Sequence, residues 1–169
     1  LSTAQVQSLL VSQIRVLTPG QIEKLDSRSV AVLTDPQVSA LTEQQVSVLN
    51  ASQLQSLSSG QAVALRTGQI AALSTEQITF LVTEDLAALN NNAIAGLSTG
   101  AIQALTTSQV SRLTDNQIKA LTTAQLVTLT TAQVAALTTD QIVSLTTGQV
   151  TSLTTAQLSS MTPAQIAAI

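Results

Sequence analysis

Leucine recurs every eight residues from Leu1 to Leu153 without a slip, and Met161 and Ile169 continue the same column. So strict a register leaves little room for anything but a repeat architecture, in which each unit packs mainly against its neighbours. Residues 1–169 read as a single array of twenty-one octapeptides plus one closing residue. Positions are numbered 1 to 8 from each leucine.

Position 2 is Ser, Thr, Asp or Asn in eighteen of the twenty-one repeats, the exceptions being Leu10, Arg66 and Val82. These four side chains are the best helix N-caps. Position 5 is Gln in seventeen repeats and departs only at Ser29, Asp85, Ala93 and Ala101. Gln three residues after a Ser/Thr cap completes a capping box, so each octapeptide carries its own helix start. All three prolines, Pro19, Pro36 and Pro163, fall at positions 3 or 4, where a missing N–H breaks no intrahelical bond. Acidic residues gather at positions 2 to 5, and Arg15, Lys24, Arg112 and Lys119 sit at positions 7 or 8, the polarity that the helix macrodipole favours. Position 6 is Ile, Val or Leu except at Ala62, three residues before the next leucine, and position 8 is most often Ala or Ser. One apolar face with a small neighbour is the expected result.

A continuous helix does not fit this period. At about 100° per residue, eight residues overshoot two turns by roughly 80°, and the apolar stripe would wind around the rod. The alternative is a β-solenoid rung, with leucine and Ile/Val on opposite faces of a strand. Against it, no turn position holds a fixed Gly, Asn or Asp. The expected fold is therefore all-α: a solenoid or superhelix of very short capped helices, one per repeat, each covering roughly positions 3 to 8 or 9. One repeat buries too little apolar surface to order itself, so the units must stack.

Composition narrows the function. The single aromatic is Phe80, so the core is aliphatic, and the apolar runs are far too short to span a bilayer. No charged-then-apolar leader is expected among these residues. With six basic residues against nine acidic ones, scattered and without aromatic partners, the chain lacks the footprint of a nucleic-acid binder. Histidine and cysteine are absent, which removes Ser-His and Cys-His nucleophiles and thiolate metal sites. No catalytic, cofactor-binding or metal residues are expected. The densest acidic pair, Glu84-Asp85, reads as first-turn cap and dipole residues rather than as a cation site. Asn50-Ala51-Ser52 matches a glycosylation sequon, but Asn50 stands at the cap position. Thr-Thr pairs such as Thr106-Thr107 leave only position 3 facing outward, which does not make a flat ice-binding array.

The stretch from Phe80 to Leu105 departs most from consensus: it holds Val82 as a failed cap, Asp85, Ala93 and Ala101 in place of Gln, and Gly96 at position 8. It is a candidate hinge, since weak repeats open first, or else simple drift in a tolerant array.

Two resemblances attach to these residues. Leu17 to Ile22, Leu33 to Val38 and Met161 to Ile166 resemble the L-T-P-x-Q-V helix start of transcription-activator-like effector repeats. The second helix, base-reading loop and 34-residue period of that family are missing, so DNA recognition does not carry over. Essentially the whole chain, and Leu121 to Leu153 above all, resembles the L-T-T-x-Q-[IV]-x-x tandem tracts of very large secreted or surface proteins of Gram-negative bacteria, often adhesin-like or calcium-repeat proteins of the type I secretion class. That resemblance implies an extracellular extension module. The expected function is a non-enzymatic stalk, spacer or fibre shaft at the cell surface, whose partner is itself, through continuing repeats or an end-to-end homopolymer filament. The alternative is a protein-binding scaffold using outward positions 3, 4 and 7.

Overall fold

The structure is a computed structural model that describes residues 2–169. Twenty-one α-helices, α1 (Thr3–Gln7) to α21 (Pro163–Ile166), follow one another, one per octapeptide, with no strand among the described residues. The all-α solenoid is the observed architecture, and the β rung is excluded. No described helix is long and apolar enough to cross a membrane.

Each helix starts as its cap residue dictates. In α18 (Thr139–Val143) the Thr138 hydroxyl accepts from the Gln141 N–H at 3.2 Å, and the Thr138 N–H donates to Gln141 Oε1 at 2.8 Å. Asn50 caps α7 (Ala51–Gln55) in the same way, accepting from Gln53 N–H at 3.0 Å. At two of the three repeats where position 2 cannot cap, half of the box survives: the Leu10 and Arg66 N–H groups still donate to Gln13 and Gln69 Oε1, at 2.8 and 2.6 Å. The cap hydroxyl and the glutamine are thus separable contributions. Thr138→Ala removes one of them, and denaturant unfolding of that variant should show a loss of about 0.5–2 kcal/mol.

The helices run from four to six residues: the longest fill positions 3 to 8, as in α5 (Asp35–Ala40), and the shortest stop at position 6, as in α6 (Glu43–Val46). The leucine stands outside. Its N–H closes a last turn on the position-6 carbonyl, as from Leu41 to Val38 at 3.2 Å, while its backbone is extended, φ −52° and ψ 140° at Leu41. The following cap is extended too, φ −78° and ψ 159° at Thr42. Two extended residues in succession turn the chain between helices, and no described residue uses a left-handed conformation to do it. Position-8 hydroxyls occupy carbonyls left open by so short a helix: Ser144, Ser152 and Ser160 each donate at 2.7 Å to the carbonyl of their position-5 glutamine.

Packing follows a fixed offset. α5 lies against α2 (Val11–Val16), α8 (Ser59–Ala64) lies against α5, and the same step of three repeats runs along the array to α18 and α21. One apolar core results, made of the position-1 leucines and the position-6 Ile/Val/Leu. Ile70, Ile94 and Leu126 at position 6 are fully buried. Positions 2, 3, 4 and 7 are mostly exposed, as the expected inside and outside require.

The two ends of the stack show what each face covers. Position 6 is buried from Val6 to Ile142, but Leu158 and Ile166 are exposed, at 37% and 48%, so position 6 is covered by the turn that follows it. Position-5 glutamines behave in the opposite sense: Gln5, Gln13 and Gln21 are exposed, whereas every glutamine of the column from Gln37 to Gln165 is buried. Each turn therefore offers aliphatic side chains in one direction and amides in the other.

Candidate functional site

The amides identify the seam that holds turn to turn. Gln125 is buried; its Oε1 accepts from the Thr122 N–H at 2.8 Å, as a capping box requires. Its Nε2 donates to the carbonyls of Ile94, Ala95 and Leu97 at 3.2, 3.1 and 2.7 Å, at the end of the helix four repeats earlier. Gln117 does the same to Leu86, Ala87 and Leu89 at 2.9, 3.2 and 2.8 Å. From Gln37 to Gln165, each glutamine of the column donates to carbonyls 28 and 31 residues back, bridging the close of one turn to the start of a helix in the next.

The local sequence pattern accounts for the capping role of glutamine and misses this second one. A signal was present. A capping box accepts Glu as readily as Gln, yet position 5 is never Glu. A carboxylate could receive the cap N–H, but it has no donor for the carbonyls. Only the amide serves both sides of a buried contact without leaving a polar group unpaired.

Three repeats in succession lack the bridge. Asp85, Ala93 and Ala101 occupy position 5 of α11 (Thr83–Ala88), α12 (Asn91–Ala95) and α13 (Thr99–Ala104). The Val82 cap makes no side-chain bond, as expected, whereas Asn90 and Ser98 still cap Ala93 and Ala101 N–H at 2.9 and 3.1 Å. The alanines are buried and simply apolar. Beside Ala93, Gly96 lies so close to the helix below that an added Cβ would stand 2.6 Å from Thr67 Cγ2.

Glu84 and Asp85, read together from the sequence as first-turn acids, part company in the structure. Glu84 is exposed; its backbone hydrogen bond, the Thr83 hydroxyl at 2.9 Å and the more distant Arg112 hold its carboxyl below the usual value. Asp85 points into the seam and is 2% exposed. Its Oδ1 accepts from Ser59 Oγ at 3.0 Å, while Oδ2 is buried without a partner. Burial pushes its carboxyl above the usual value; the Ser59 hydrogen bond opposes that and the neighbouring Glu84 charge adds to it. Asp85 is thus a buried acid in the inter-turn contact and not a surface dipole residue.

Residues 81–115 and 116–147 each match the family model described as the ALTTAQ repeat, whose name is spelled by Ala120-Leu121-Thr122-Thr123-Ala124-Gln125. Each matched unit covers about four octapeptides, close to the backward reach of the glutamine bonds. No curated protein matches the chain. Over residues 81–147 the chain is similar to the ALTTAQ repeat, and in sequence and structure alike it is a tandem-repeat protein built as a helical solenoid.

Proposed function

We propose that the array is a non-enzymatic spacer, the stalk or fibre shaft of a bacterial surface or extracellular protein. The observation that carries this reading is the seam itself. The same aliphatic contact recurs along the array, and with it the glutamine-to-carbonyl contact everywhere from Gln37 to Gln165 but at Asp85, Ala93 and Ala101, so the number of octapeptides sets the length of the object. The surface placement rests on the resemblance of the Leu121 to Leu153 tract to surface-protein repeats, and protease shaving of intact cells tests it.

Self-association follows from the two faces. One terminal turn presents the exposed amides of Gln5, Gln13 and Gln21, and the other presents Leu158, Ile166 and Ile169. A further turn, from continuing repeats or from a second copy, satisfies both with the bonds already made inside the array, and such a heterologous contact propagates without closing. Sedimentation velocity of the 169-residue segment is expected to show elongated oligomers that grow with concentration and are suppressed by Ile166→Glu or Ile169→Glu. A compact monomer at high concentration would overturn the shaft.

A further inference from the structure

Among the described residues Asp85 is the sole buried ionisable side chain, and it stands in the column where Gln77 before it and Gln109 after the two alanines carry a bridging amide. The register of the column puts the carbonyls of Leu54 and Leu57, 31 and 28 residues back, where a glutamine at this position would donate. Those carbonyls close α7, just before Ser59, whose hydroxyl holds Asp85 Oδ1. Ionised, Asp85 would set a buried anionic oxygen in a seam whose backbone groups are acceptors. The surrounding elements bring no cation into the seam: α7 and α8 carry no charged residue, α11 adds only Glu84, and Arg112 on α14 (Thr107–Arg112) is exposed and acts on Glu84. Asp115 and Lys119 on α15 (Asp115–Ala120), the helix above, are exposed as well. A carboxylate stranded like this is more readily neutralised than paired.

We propose that Asp85 is held as a neutral carboxylic acid whose Oδ2–H donates across the seam to the Leu54 and Leu57 carbonyls, making this repeat a proton-operated joint in the array. A proton taken from solvent converts the orphaned acceptor into the missing donor; its return to solvent leaves two sets of acceptors facing each other. Ala93 and Ala101 deepen the effect, because the next two repeats have no amide bridge to hold the turn when this one is lost. Opening would concentrate between Phe80 and Leu105. The inference does not depend on the shaft reading, since it concerns one internal contact whatever the array supports.

The sign of the pH dependence is fixed by the direction of the shift. The folded state holds its proton more tightly than the unfolded chain, so Asp85's contribution is complete below the unfolded carboxylate value, about 3.9, and is lost as pH rises through the folded value. Glu84 acts oppositely and would weaken the fold only on acidification.

Hydrogen–deuterium exchange of the intact chain, corrected for intrinsic rates and followed over the α11 peptide from about pH 4 to pH 8, tests the joint. Relative to Asp85→Gln, wild-type protection of Thr83 to Ala88 should fall by up to about tenfold per pH unit within the titration window and then level off. Asp85→Asn should be flat with pH, like Asp85→Gln. A wild-type to Asp85→Gln ratio that is constant with pH, or that rises with it, overturns the proposal. So does protection restored at high pH by excess calcium chloride in the wild type and not in Asp85→Asn, since that would make the site a cation site.

Discussion

Gln125→Glu is expected to destabilise the array by about 3–5 kcal/mol at neutral pH, the cost of breaking a buried polar contact so that an unpaired charge remains. The capping half of the side chain survives, because glutamate can still accept the Thr122 N–H. What is lost is Nε2, and in its place an anionic oxygen faces the carbonyls of Ile94, Ala95 and Leu97. Gln13→Glu supplies the control. Gln13 makes the same cap bond, to the Leu10 N–H at 2.8 Å, but it is exposed with no turn beneath it. Its substitution should stay within about 0.5 kcal/mol. Urea unfolding of both variants decides the matter: equal costs would mean that position 5 serves only as a cap.

Leu137→Ala should lose about 2–5 kcal/mol by the same measurement, as a buried large-to-small change in an aliphatic core. Leu137 is 4% exposed and belongs to the position-1 column covered on both sides, unlike Leu9 and Leu17 near the start, which are half-buried. Two residues later, Thr139 opens α18 on the exposed surface, and Thr139→Ala should be silent within about 0.5 kcal/mol. A cost at Thr139 matching that at Leu137 would reverse the assignment of inside and outside. Because stability in a solenoid is a sum over units and the interfaces between them, the leucine loss should appear first as local opening around α17 (Thr131–Ala135) and α18.

The contrast between Asp85 and Glu84 shows where reading residues in isolation reaches its end. Both lie in the first turn of α11, and by local rules both are dipole-complementing acids. Glu84, at position 4, points outward as that rule assumes. Asp85, at position 5, inherits the inward direction of the glutamine column, and its environment is set by residues 26 or more positions away. The inward direction was legible only after the column itself was known to be buried.

The octapeptide alone determined what its own eight residues can satisfy: where each helix begins, which side chain caps it, that leucine and Ile/Val face in and position 3 faces out, and that no unit stands alone. These follow from hydrogen bonds and periodicities spanning three or four residues, such as the Thr138 to Gln141 box. Tertiary structure decided the rest. The pitch of the superhelix, between three and four repeats per turn, comes from the small dihedral differences at each extended leucine-and-cap pair, which the identity of the residues does not specify. That pitch sets Gln125 above the carbonyls of Ile94 to Leu97 and leaves Asp85 Oδ2 without a donor; a contact 28 to 31 residues distant has no trace in an eight-residue motif except that glutamate never takes the place of glutamine.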